Sequence, residues 1–166
     1  MNVKVSLLAT ALAFLPVTGL EARRSTSQIN YFYANANQVA VLDTSTMRLS
    51  LGHEVMGVET CSTSTAAPCF SIPYLSIDVA FSEEGAAAGH WRSGERLFCI
   101  RQAIAVSGDE TVYLVESGRG SADCEKQASE SAFLFSDQRG LLAFSKKGTQ
   151  GRIVFTLIDP TGFGAR

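Results

Sequence analysis

Two histidines, His53 and His90, are the only imidazoles in the chain. With Glu54, Glu59 and Asp78 they could form a His–carboxylate pair, in which the carboxylate orients the ring and the ring moves a proton. Such a site would make the chain a small hydrolase-type enzyme, although nothing in the spacing obliges these residues to meet. Gly52-His53-Glu54-Val55-Met56-Gly57 opens like a zinc-protease helix. Gly57, however, stands where the second histidine is required, and the flanking residues read as strand. No Gly-x-Ser-x-Gly elbow, Gly-x-Gly-x-x-Gly motif or phosphate-cradling loop occurs. Gly118-Arg119-Gly120-Ser121 follows a strand without opening a helix and reads as a linker. These patterns call for no catalytic residue, cofactor or metal.

The four cysteines, Cys61, Cys69, Cys99 and Cys124, carry a different chemistry. A zinc site needs a Cys-x2-Cys type of start and a thiol oxidoreductase needs Cys-x-x-Cys, and neither spacing is present. Disulfides remain, and four cysteines allow three connectivities. Cys61 and Cys69 bracket seven small or polar residues with strand-like sequence on both sides, and Pro68 helps to turn that loop. Cys99 lies inside an apolar run, and Cys124 returns after one hairpin and a linker. The expected pairs are therefore Cys61–Cys69 and Cys99–Cys124.

Two groups are candidate contact surfaces. His90-Trp91-Arg92 puts the single tryptophan between a titratable ring and a cation, and Trp and Arg are enriched at binding hot spots. The competing reading starts a strand at Trp91, with the indole on the core and His90 and Arg92 outward. Tyr31 and Tyr33 belong to an aromatic run with Phe32. That run is a stacking platform, a strand with one ring outward and two inward, or an edge strand needing protection.

The compartment follows from the N-terminus. Met1-Asn2-Val3-Lys4 supplies one cation, residues 5–17 are apolar and uncharged, and Thr18-Gly19-Leu20-Glu21-Ala22 offers small residues for cleavage. This is the layout of a secretory signal peptide, with the cut expected after Ala22 and Gly19 as second choice. Residues 1–22 are then the signal and residues 23–166 a single β-domain, exported to the periplasm or secreted, where disulfides persist. Net charge is −2 and does not change when Lys4 and Glu21 leave. That balance, without a basic face, argues against a nucleic-acid partner, and no later apolar run is long enough to be an integral membrane span.

The elements that must position these groups are strands. Short runs of Val, Ile, Leu, Phe and Tyr alternate with polar residues and are punctuated by Gly, Ser, Asp and Asn. Strands are expected over residues 29–33, 39–43, 47–51, 97–106, 111–116, 131–136, 141–145 and 152–158. Gly52 is expected to mark a bulge, and Ser107-Gly108-Asp109-Glu110 a hairpin. Residues 82–89 read as a surface loop, residues 124–131 as one or two helical turns, and the last residues as frayed. Together this predicts an all-β fold: an antiparallel sandwich or small barrel of about eight or nine short strands, disulfide-stapled.

A well-specified exported scaffold without a catalytic constellation reads as a non-catalytic binding or inhibitor module. Loops 62–68 and 83–89 would carry the contact, and the partner would be an envelope or extracellular protein or glycan. Besides the His–carboxylate enzyme, the alternative is a structural envelope protein that joins partners by strand addition along residues 29–33. Oligomeric state is left open by the sequence.

Overall fold

Period-two alternation and short Gly- or Asn-bearing turns dominate the computed structural model, which describes residues 27–61, 68–120, 122–149 and 151–166. The expected signal segment 1–22 and most of the loop between Cys61 and Cys69 lie outside the described residues. β1 (Gln28–Tyr33), β2 (Gln38–Asp43), β3 (Arg48–Leu51) and β4 (Glu54–Gly57) run up and down as successive hairpins. β5 (Glu59–Thr60), β6 (Cys69–Ile72) and β7 (Ile77–Ala80) form a separate antiparallel sheet. After the helix α1 (Glu83–Ala88), the meander resumes with β8 (His90–Ser93), β9 (Arg96–Ser107) and β10 (Glu110–Arg119). It continues through β11 (Ser131–Ser136), β12 (Gly140–Gly148) and β13 (Gly151–Leu157), and β13 pairs back onto β1. The outcome is a ten-stranded sheet in the order β4-β3-β2-β1-β13-β12-β11-β10-β9-β8 and a three-stranded sheet β5-β6-β7.

The fold is the expected all-β, antiparallel, disulfide-stapled class. Thirteen strands are described where spacing suggested eight or nine, because the chain between residues 48 and 80 is cut into five short pieces. Gly52 is one cutter. With φ near +59° it opens the two-residue turn between β3 and β4 instead of a bulge. Pro73 is another, heading a 3-10 turn (Pro73–Leu75) that separates β6 from β7.

The two sheets share one buried cluster. From the large sheet it takes Tyr31, Leu42, Leu49, Phe133, Phe144 and Phe155, and from the small sheet Phe70, Ile72, Ile77 and Val79. Register explains its aromatic spine: Val115 stands opposite Phe133, Phe133 opposite Phe144, Phe144 opposite Phe155 and Phe155 opposite Tyr33. Phe144 stacks on Phe155 at 4.7 Å and meets Phe70 edge-on at 6.3 Å, so the spine also joins the sheets.

Three local expectations are corrected. Residues 82–89 hold α1: Ser82 accepts a hydrogen bond from Gly85 N at 3.1 Å, Glu83 and Glu84 occupy the first turn, and Gly89 ends the helix at φ +82°. Residues 124–131 form a turn and an extended segment instead of a helix, because Cys124 is pinned to Cys99 and Gln127 is drawn inward. Gln127 Nε2 donates to the Leu97 carbonyl at 2.7 Å. The C-terminal residues are docked rather than frayed. Gly162 N donates to the Arg139 carbonyl at 2.7 Å, Leu141 N to the Phe163 carbonyl at 2.9 Å, and Phe163 sits edge-on to Phe70 at 5.1 Å.

Candidate functional site

The described surface has a charged cleft of about 320 Å³ where the small sheet meets the β8–β9 hairpin. Its construction begins with two local devices. The Cys61–Cys69 disulfide, with Cα atoms 5.5 Å apart, ties the end of β5 to the start of β6 and forms part of one wall. Opposite it, Ser93-Gly94-Glu95-Arg96 makes a two-residue hairpin turn. Gly94 there has φ +58°, a value that glycine adopts without the Cβ penalty.

Arg96 forms the floor. Its side chain is only 6 % exposed, and a buried guanidinium is tolerated only where carboxylates answer it. Two do. Arg96 Nε contacts the Asp78 carboxylate on β7, and Arg96 Nη1 donates to Glu130 Oε2 at 2.9 Å. One side chain thereby joins the small sheet, the large sheet and the segment leading into β11. Around it stand Glu59, Thr60, Ser71, Glu95 and Arg119. Glu95 and Arg119 also line an adjoining open basin with Arg92, Gly120 and Ala122, which extends the cleft over the outside of β8. The lining offers carboxylates, guanidinium groups and hydroxyls together. Such a set can pair with a polar or charged side chain by hydrogen bonds. The ion pairs commit Arg96 to Asp78 and Glu130, whereas Glu59 and Glu95 line the cleft as further carboxylates.

The candidate contact residues separate cleanly. Of His90-Trp91-Arg92, Arg92 reaches the basin, and His90 is exposed two positions earlier on the same strand. Trp91 turns inward, stacked on Phe98 at 5.5 Å with planes 4° apart and edge-on to Phe81 at 6.0 Å. Tyr31 is fully buried and Tyr33 is half-buried, stacked on Phe155 at 4.9 Å, so neither offers a stacking platform. Phe32 is the ring that faces outward. Nor is β1 an edge: β2 pairs with one side and β13 with the other, which removes residues 29–33 as a place for strand addition.

His53 lies exposed in the β3–β4 turn and His90 on β8, at opposite ends of the strand order of the large sheet. Neither lines the cleft, and among the described residues no ion pair joins either to a carboxylate. The His–carboxylate constellation is therefore not assembled by the described residues. The cysteines pair as expected, Cys61 with Cys69 and Cys99 with Cys124. Among the described residues no group of three or more His, Cys, Asp or Glu side chains is placed to hold a metal ion. No described helix is long and apolar enough to cross a membrane.

Sequence reasoning missed Arg96, Glu95 and Arg119. They come together only through pairing of β8, β9 and β10, and no spacing rule announces that.

In comparisons with known proteins, no family model, curated protein or solved structure matches this chain.

Proposed function

We propose that the chain is an exported, non-catalytic binding module of the inhibitor or adaptor kind, whose contact face is the Arg96 cleft with its disulfide-closed rim. The observation that carries the reading is a coincidence of place: the bridge that closes residues 62–68 into a loop also walls the charged cleft. The bridge fixes the two ends of that segment, which lowers the chain entropy a partner has to take up on binding it. The cleft beside it, about 320 Å³, lies at the small end of the range of binding clefts.

Its lining favours a protein over a glycan. Sugar sites lean on an accessible aromatic face, whereas Phe98 at the cleft is 1 % exposed and Trp91 is covered. Mixed charges at the rim, Glu59, Glu95, Arg92 and Arg119, suit a complementary charged segment of an envelope or extracellular protein. Export rests on the apolar run and small residues of segment 1–22, and two disulfides are compatible with it.

The test is affinity capture from the envelope and culture-medium fractions of the producing cell. Wild type is compared with a Glu95→Lys/Arg119→Glu variant, and recovered proteins and glycans are both identified. A protein held by wild type and released by the variant supports the reading. Recovery of nothing, or equal recovery on both, sinks it.

A further inference from the structure

A second surface, remote from the cleft chemistry, is left open by the length of β9. β10 pairs with β9 along its whole course, from Arg96 to Ser107. On the other side β8 covers only Arg96 to Cys99, and Gly89 accepts from Ile100 N at 2.9 Å. From Arg101 to Ser107 the outer edge of β9 meets no strand among the described residues. Arg101 to Val106 are all exposed, with Ile104 at 46 % and Val106 at 53 %.

A row of unpaired peptide N–H and C=O groups recognises another extended strand. Edges that avoid such pairing are kept short, are bulged, or carry lysine, proline or inward charge. The other edges of the large sheet follow this rule, β4 and β8 having four residues each. β9 does not. Gln102-Ala103-Ile104-Ala105-Val106-Ser107 contains no charge, proline or glycine. Register shifts, which bend a strand, fall at the two ends of the stretch, and pairing with β10 is regular from Gln102 to Ala105.

We propose that this edge pairs with the same edge of a second copy of the chain, antiparallel across a twofold axis, so that two large sheets become one. The self-pairing is electrostatically permissive. With the axis at Ile104, Ala103 stands opposite Ala105 of the second copy, Gln102 opposite Val106, and Arg101 opposite Ser107. With the axis at Ala103, Arg101 faces Ala105. Like charges oppose each other in neither register, and Arg101 is already answered by Glu116 at 2.8 Å. A net charge of −2 adds little long-range repulsion between copies. Exposed Ile104 and Val106 gain cover in the pair, which a strand of arbitrary sequence from another protein would match only by chance.

The experiment is sedimentation velocity on the full chain with both disulfides formed, over a concentration series from about 1 µM to about 500 µM, the range of weak protein association. The mass should rise reversibly from monomer to dimer, and amides of residues 102–106 should gain protection from hydrogen exchange with concentration. Ala103→Lys/Ala105→Lys places cations opposite one another and should weaken the dimer about 100-fold, with an unchanged melting temperature at concentrations where both proteins are monomeric. Ala103→Ser/Ala105→Ser, exposed and neutral, should retain it. A wild type that stays monomeric throughout overturns the proposal. So does a dimer indifferent to the lysines, assembly beyond the dimer, or protection that develops elsewhere than on β9.

Discussion

Arg96 holds Asp78 across the gap between the two sheets, and that contact makes the charged cleft a structural joint as well as a surface. Arg96→Met removes the cation and leaves Asp78 and Glu130 without it. Breaking a buried pair costs about 3–5 kcal/mol, but Asp78 is 25 % and Glu130 47 % exposed, so water takes over part of the loss. About 2 kcal/mol of destabilisation is expected, within the ~0.5–3 kcal/mol of most single substitutions. Arg96→Lys should recover little, because one ammonium lacks the fork that reaches two carboxylates at once. Urea unfolding of the three proteins measures this, and equal midpoints would remove Arg96 as the joint.

Tyr31 offers a pH-dependent test of how the C-terminal tail is held. Its hydroxyl donates to the Leu141 carbonyl at 3.2 Å and accepts from Phe163 N at 3.4 Å. Burial pushes its pKa well above the ordinary tyrosine range; the Phe163 amide pulls it down and the nearby Asp159 carboxylate adds to the rise. Below about pH 10 both folded and unfolded chains keep the proton. Above it the unfolded chain releases the proton while the folded chain retains it, so stability falls as pH climbs. Tyr31→Phe should cost about 1 kcal/mol at neutral pH, and its deficit should shrink through the alkaline range. A deficit that stays constant with pH would assign the alkaline loss to other groups.

The cysteine pairing has a quantitative consequence. In the loop-entropy account, removing the bridge across 25 residues, Cys99–Cys124, costs about 3.5 kcal/mol, and removing the one across 8, Cys61–Cys69, about 2.5. Cys99 is fully buried, so Cys99→Ala/Cys124→Ala also loses packing at that site. Cys61→Ala/Cys69→Ala should be the milder variant by unfolding midpoint. Yet it should lose more partner capture, because its bridge walls the cleft. The reverse order on either readout would contradict these roles.

What the sequence made legible was local, and what it hid was long-range. Strand positions, the Gly108-Asp109 hairpin loop and both disulfides follow from alternation, turn residues and cysteine spacing. The inward turn of Trp91 and the split of Tyr31 and Tyr33 from Phe32 follow from period-two parity. Parity could not show that β13 returns to β1, and that pairing turns residues 29–33 from an edge into the interior of a sheet. Nor could it assemble Asp78, Arg96 and Glu130, whose meeting depends on a small sheet laid against a large one. The helix over residues 83–88 was legible in hindsight. Ser82 as cap, two glutamates in the first turn, alanines within and a terminal glycine are its signature, outweighed here by the loop-like composition.

That helix supplies a final prediction, since its only buried residue is Gly85, seated on Trp91. A Cβ at Gly85 would stand 2.7 Å from both Cβ and Cε3 of Trp91, closer than carbon atoms tolerate. Gly85→Ala must therefore lift α1 or tilt the indole away from Phe98. About 1–3 kcal/mol of overpacking cost is expected, even though alanine is the better helix former. Because Trp91 is the single tryptophan, its fluorescence reports the displacement directly, and a red-shifted emission should accompany the loss. Ala87→Gly separates the two causes. It weakens the helix by about 1 kcal/mol at an exposed position and should leave the emission unchanged. If Gly85→Ala instead stabilises the protein with unaltered fluorescence, α1 does not bear on Trp91 and its contact with β8 is incidental.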